Sequence, residues 1–397
     1  MPLDVFAMER MQSTWENVVE RDMSESGIRA VTMRELIDLG LDLDALLDTP
    51  LGYSQSNGTL ALRERLAALY PGATPDHIEV TNGTSEANYV LALSQLGPGT
   101  RFALEVPNYL QLWGVPRGLG AAVDTFHLRP DATGAWRLDE EELERAIVPG
   151  TKLVYVTNPN NPTGAVLTAR EMERIVARCE AVGAYLIADE VYQGSEINGA
   201  RTPSFWGMSD RVIVTSGLSK AYGIPGVRIG WIVGPTDVVA RCWAHHDYLT
   251  IGPSRLSDAV ACVAVAPAVR ERLYRRTRTI LRENLPVFGA WVSGLHGLLE
   301  WSPPAATATA FVRCAGPLAG VPSHTIATHL IDALSVLIVP GSHFGLEGYL
   351  RIWTGGAPDV LADGLARIAR GLDDLARAPR AVAAAGRHDM PSAEFVP

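Results

Sequence analysis

An α/β fold built on a mainly parallel sheet is predicted for this chain by three features. Short β-rich runs alternate with helical patterns through the middle of the sequence. Those runs are rich in Val, Ile, Leu, Phe and Tyr, as expected of strands covered on both faces. The 397 residues, 47% hydrophobic and 20% charged, have the balance of a globular protein long enough for two domains.

In chain order, helix patterns run from Thr59 to Tyr70 and from Ser85 to Leu96, and strands from Arg101 to Val106 and Ala122 to Leu128. A helix over Asp139 to Ala146 precedes the strand Lys152 to Thr157, and Thr168 and Glu171 have capping-box spacing at the head of a helix ending at Val182. Further strands are Ala184 to Ala188, Arg211 to Thr215 and Arg228 to Val233. From Leu256 the pattern turns helical, with an Arg-rich segment from Arg270 to Val287 that can link two domains. Strand-like Ala308 to Val312 and Val336 to Val339 and a helix from Pro358 to Ala376 make an α+β segment. We therefore expect a large domain over residues 47–285 and a small one over 286–380. Residues 1–46 are expected to pack with the small domain, and 381–397 to form a mobile tail.

Composition excludes several functions. A formal charge of -10, with basic residues scattered along the chain, disfavours nucleic acid as a partner. The longest apolar stretch, Ala259 to Ala268, is shorter than the ~20 residues that cross a bilayer. The start MPLDVFAMERMQ lacks the basic-then-apolar order of a signal peptide, so a soluble cytoplasmic protein is expected. Cys179, Cys242, Cys262 and Cys314 form no C-x-x-C pair and read as free thiols, and no metal site is expected. Of the 34 basic residues only Lys152 and Lys220 are lysines, which leaves two candidates for amine chemistry.

Four segments carry candidate chemistry. Asn158-Pro159-Asn160-Asn161-Pro162-Thr163-Gly164 makes a rigid turn at a strand's carboxyl end, where an asparagine can be aimed at a ligand. Asp189-Glu190-Val191-Tyr192 ends the next strand, and a buried carboxylate there asks for a cation or donors; a helix cap or structural ion pair is the alternative. In Ser216 to Gly230, Lys220 sits among small residues after a strand, where lost solvation makes an amine a nucleophile toward aldehydes. Arg228 offers a bidentate fork suited to phosphate. Thr81 to Ala87 joins a short strand to a helix start, where hydroxyls, backbone N–H groups and the helix dipole form an anion site. Taken singly, each of these has a structural explanation that is at least as common. Together they ask for one ligand, with an aldehyde for Lys220, a phosphate for Thr84, Ser85 and Arg228, and a basic ring nitrogen for Asp189. Pyridoxal 5′-phosphate has all three.

The motifs NPNNPTG, DEVY and SGLSKAYGIPGVRIG, in this order, resemble those of the class I/II aminotransferases of the PLP-dependent fold-type I superfamily, over roughly Leu51 to Arg370. The resemblance implies a mainly parallel seven-stranded sheet between helices with a smaller α+β domain. It implies that Lys220 is the Schiff-base lysine, which also moves the substrate's α-proton, and that Asp189 keeps the pyridine nitrogen protonated. Tyr192 and Asn161 would bond the phenolic oxygen, and Tyr109 would stack on the ring. Thr84, Ser85, Ser219 and Arg228 would hold the phosphate, Tyr53 would reach the neighbouring subunit's phosphate in a homodimer, and Arg351 would clamp the α-carboxylate of an amino acid substrate. One position departs: Gly217 stands where the family often has a phosphate-binding serine, so that contact is missing or is supplied by Ser216.

Ser24-Glu25-Ser26-Gly27-Ile28 and Asp247-Tyr248-Leu249-Thr250 resemble capreomycidine synthase-like members more than aspartate aminotransferases. Aminotransfer to a 2-oxo acid and elimination, replacement or cyclisation need the same residues around the cofactor, so the motifs leave both open. A nicotinamide site at Gly118-Leu119-Gly120 lacks a third glycine and precedes a strand instead of following one. His245, His246, His343 and Trp353 are further candidates for the neighbourhood of the site, each with an equally simple packing role.

Overall fold

A computed structural model describes residues 3–377. The expected tail over 381–397 lies outside the described residues. The large sheet has eight strands: β1 (Ile78–Thr81), β2 (Arg101–Val106), β3 (Ala122–Pro130), β4 (Trp136–Leu138), β5 (Thr151–Thr157), β6 (Tyr185–Asp189), β7 (Val212–Gly217) and β8 (Gly230–Val233). Their spatial order is β1-β8-β7-β6-β5-β2-β3-β4. The pairs from β7 across to β3 are parallel, and β1–β8, β8–β7 and β3–β4 are antiparallel. The seven expected strands are there, and β4 is a three-residue addition folded back on the edge strand β3. So short a segment gives no alternation by which a sequence reading could find it.

The pleat explains why the strand sequences read as continuous apolar runs. Leu153 and Tyr155 of β5 join one buried layer with Phe102, Leu104, Ile187 and Ile213. Val154 and Val156 join the opposite layer with Ala103, Leu186, Ala188 and Val214. Helix Thr84–Gln95 covers the first face and Ala169–Val182 the second. The latter begins at the expected Thr168/Glu171 capping box and ends at Gly183, whose φ of 75° needs no Cβ-bearing residue.

Register sets the site. Thr157 lies opposite Asp189, and Asp189 opposite Thr215, so the turns leaving β5, β6 and β7 emerge side by side at the carboxyl edge.

Helix Pro267–Gly294 is longer than the Arg-rich pattern suggests, because it continues through Pro286. Beyond it, β9 (Leu299–Glu300), β10 (Thr309–Cys314), β11 (Val339–Pro340) and β12 (Tyr349–Trp353) form an antiparallel sheet in the order β9-β10-β12-β11. It packs with helices Ser323–Leu334 and Pro358–Arg377 around its own apolar cluster. Near the chain start, Arg21–Asp22 pairs in parallel with Val336–Leu337, and Met23 enters that cluster. Met8 and Met11 of helix Ala7–Trp15 pack on Phe311 and Phe344, which brings the helix over the edge where β5 to β7 end. Leu36 and Leu41, in contrast, join the core of the large sheet.

Candidate active site

A cavity of 340 Å³ lies at this carboxyl edge, and Thr84, Ser85, Tyr109, Asn161, Asp189, Tyr192, Ser219, Lys220, Arg228 and Arg351 all line it. The size is within the ordinary range for a small-molecule site. Tyr53 is elsewhere, 85% exposed beside a separate surface groove with Asn82, Thr250 and Arg255.

The turn after β5 divides its residues between holding and presenting. Asn160 donates to a Glu105 oxygen at 3.2 Å and to the Pro107 carbonyl, while its own oxygen accepts from the Thr163 hydroxyl at 2.7 Å. The Asn158 side chain accepts the Leu167 N–H at 3.0 Å. Glu105 also accepts the Thr157 N–H and the Asn108 side-chain amide, and burial pushes its carboxyl up to about 8 despite those donors. Three polar members of the motif are thus spent on the turn, and Asn161 is left to face the cavity.

Asp189 is fixed by three donors: the Tyr155 hydroxyl at 2.9 Å, the Asn88 amide at 3.2 Å and the Val191 N–H at 3.1 Å. Asn88 is itself aimed by the Thr215 hydroxyl at 2.9 Å. Burial raises the Asp189 pKa against the pull of these donors and of Lys220. Such a carboxylate gains most from a cationic N–H placed against its free lone pairs.

The corner where Thr84 and Arg228 meet depends on absent side chains. A Cβ on Gly230 would stand 2.4 Å from the Thr84 nitrogen, and one on Gly83 would stand 2.4 Å from Arg228 Nη2. With glycine at both places, the start of helix Thr84–Gln95 and the Arg228 guanidinium close on the same corner. Arg228 is not in the strand, as expected from the sequence, but takes a left-handed φ of 56° just before β8 begins at Gly230. Its guanidinium donates to the Pro225 and Asn82 carbonyls and, among the described residues, meets no carboxylate. The Ser216 hydroxyl donates to the Glu190 carbonyl and does not line the cavity, so it does not stand in for the serine that Gly217 replaces.

Arg351, on β12, is fully buried, donates to Asn161 Oδ1 at 3.1 Å and to the Ser24 carbonyl, and lies 4.9 Å from the Phe344 ring centre. Burial lowers its pKa, and among the described residues it has no ion-pair partner. Its Nε, the Tyr192 hydroxyl and the Thr84 hydroxyl are all buried without a hydrogen-bond partner among the described residues. An amine, a cation-seeking carboxylate, an anion cup and unpaired hydroxyls in one cavity fit a ligand with an aldehyde, a phosphate, a ring nitrogen and a phenolic oxygen.

The sequence reading missed Asn88, Tyr155 and the acidic residues Glu9, Glu16 and Glu25, which also line the cavity. Asn88 follows Thr84 by one helical turn, and Glu9, Gln12 and Glu16 share a face at spacings of three and four, so both signals were present. His246 is buried between Glu79 and Glu86, behind the cup, and His245 is on the outer face of its helix. His343 is buried off the cavity, and burial lowers its pKa to about 4. The Trp353 indole donates to the Gly27 carbonyl, tying β12 to the N-terminal segment. Among the described residues there is no cluster able to hold a metal and no helix long and apolar enough to cross a membrane.

The family model described as aminotransferase class I and II matches residues 33–368. Capreomycidine synthase of Streptomyces vinaceus is 33% identical over 376 residues, 90% of this chain and 91% of that protein. A PLP-dependent aminotransferase from Streptococcus suis superposes with a TM-score of 0.86 at 32% identity, over 94% of this chain and 99% of that one. The PLP-dependent cyclase OrfR superposes with a TM-score of 0.83 at 26% identity, over 94% and 98%.

Proposed function

The chain belongs to the aminotransferase class I and II family, as a pyridoxal 5′-phosphate-dependent enzyme, and we propose that it works at the α-carbon of an L-amino acid through Lys220. One observation carries this reading: Lys220, Asp189 and Arg228 line the same cavity as the buried Arg351, which has no ion-pair partner among the described residues.

In this reading the bound cofactor supplies a cationic ring that accepts the electron pair left at the α-carbon. The Lys220 amine would hold the cofactor through its aldehyde carbon and would be the base placed to take the substrate's α-proton. Asp189, oriented by Tyr155, Asn88 and the Val191 amide, holds the proton on the ring nitrogen. Tyr192 and Asn161 bond the phenolic oxygen, and Tyr109 covers the ring. Thr84, Ser85, Ser219 and Arg228 hold the phosphate. Arg351 fixes the substrate's α-carboxylate and so orients the bond to be broken. Tyr53 reaches the phosphate of a second subunit, which accounts for an exposed tyrosine that leaves its own cavity alone.

The reaction we propose is transfer of the amino group to a 2-oxo acid, as the family assignment favours. A second reading, elimination or replacement at the side chain followed by cyclisation, is supported by the likeness to capreomycidine synthase over nine-tenths of the chain. An α-¹⁵N-labelled amino acid panel incubated with the PLP-loaded protein and a 2-oxo acid separates the two. Label appearing in a new amino acid supports aminotransfer. A product retaining its label but lacking a side-chain group supports the second reading.

A further inference from the structure

The charges lining the cavity do not balance for an ordinary amino acid. Its cations are Lys220, Arg228 and Arg351, and its anions are Asp189, Glu9, Glu16 and Glu25. If the proposed function holds, Arg228 meets a phosphate, Arg351 an α-carboxylate, Lys220 a carbonyl carbon and Asp189 a ring N–H. Three carboxylates are left over, and none of them is in an ion pair among the described residues. Glu9 accepts the Tyr109 hydroxyl at 2.8 Å, Glu25 accepts the backbone N–H groups of Ser26 and Gly27, and Glu16 accepts from Asn17.

All three come from the N-terminal segment, on the side of the cavity that also holds the Gln12 side chain, fixed to Ser24. Their mutual repulsion is felt: burial and then the charges of Asp22, Glu25 and Glu9 raise the Glu16 pKa. Glu25 is lowered instead, since Lys220, the amides of Ser26 and Gly27 and Arg351 outweigh the cost of burial. Among the described residues no fourth cation lines the cavity to receive a side-chain carboxylate. The unpaired, buried Tyr192 hydroxyl and Arg351 Nε mark the same cavity as a ligand site independently of these acids.

We infer that Glu9, Glu16 and Glu25 form the side-chain subsite, and that the substrate is an amino acid whose side chain ends in a cation, an ammonium or a guanidinium group. The inference rests on the proposed function and names the substrate class of that site. A cationic end group exchanges water for charge-assisted hydrogen bonds to two or three carboxylates, while a carboxylate end group meets repulsion.

The test is titration of the PLP-loaded protein with L-arginine against its neutral isostere L-citrulline, L-lysine against L-norleucine, and L-glutamate, following the cofactor's absorption. The cationic member of each pair is expected to bind at least about tenfold more tightly, with L-glutamate weakest, and the preference is expected to shrink as salt screens it. Glu9→Gln and Glu16→Gln are each expected to narrow the cationic-to-neutral ratio about threefold or more. A clear absorption response with equal or tighter binding of L-citrulline, L-norleucine or L-glutamate would overturn the subsite and leave the cofactor reading standing. No response to any amino acid would overturn both.

Discussion

A Cβ on Gly217 would stand 2.5 Å from the hydroxyl of Thr84 and 2.9 Å from the carbonyl of Ile229. The glycine therefore lets β7 and the start of helix Thr84–Gln95 come together under the proposed phosphate cup. Gly217→Ser, which restores the residue type common in the family, should not restore a phosphate contact. It should push Thr84 away, with an overpacking cost of about 1–3 kcal/mol. The expected result is a melting temperature lower by several degrees and PLP held about tenfold more weakly in a fluorescence titration; an unchanged or tighter cofactor affinity would show that the cup tolerates the side chain.

Tyr155→Phe removes the hydroxyl that donates to Asp189 at 2.9 Å. A hydrogen bond to a charged group contributes about 1.5–3 kcal/mol, so the hold on the ring proton should weaken. We predict a fall in kcat of tenfold or more with PLP still bound. Equal kcat in parent and variant would show that Asn88 and the Val191 amide suffice.

Arg351→Ala removes a buried guanidinium that, among the described residues, has only Asn161 and Ser24 as hydrogen-bond partners. Loss of a partner for a buried carboxylate costs about 2–5 kcal/mol. The amino acid KM should rise at least about thirtyfold, while the cofactor's absorption stays that of the parent. A KM that does not move would assign the α-carboxylate to another residue.

His246 lies between Glu79 at 2.8 Å and Glu86 at 3.0 Å, and Glu86 in turn accepts the N–H of Asn82, whose carbonyl binds Arg228. Burial opposes its charge, but the two carboxylates raise its pKa to about 9, while burial raises Glu79 to about 7. His246 keeps its proton through neutral pH because it faces two acids. A histidine raised on folding stabilises fully below its unfolded value of about 6.5, and that stability is lost as pH rises through about 9. Glu79 acts in the same sense at lower pH. The gap in melting temperature between the parent and His246→Gln should be widest between pH 5 and 6.5 and shrink toward pH 9 to 10. A gap that widens with pH would mean that the imidazole is neutral.

Much of this was legible in the sequence because the chemistry sits in turns at strand ends, where Pro, Gly, Asn and Asp stand out against apolar strands. Ten of the eleven site residues singled out by motif line one cavity. What was not legible depends on long-range placement. Glu79 and His246 are 167 residues apart and meet only because helix Thr236–His246 packs behind β1. Tyr155 reads as a core residue, since its ring fills the apolar layer while its hydroxyl alone reaches Asp189. Glu9, Gln12 and Glu16 look like the solvated face of a short helix until Met8 and Met11 anchor that helix on Phe311 and Phe344.

Lys220 is proposed to carry the cofactor, and since Lys152 is the chain's other lysine the attachment is directly testable. PLP-loaded protein would be reduced with borohydride, digested and mapped by mass spectrometry. A pyridoxyl-phosphate adduct is expected on the peptide containing Lys220, with none on Lys152 and no fixed cofactor in Lys220→Ala. Adduct on Lys152, or fixation that survives the loss of Lys220, would contradict it.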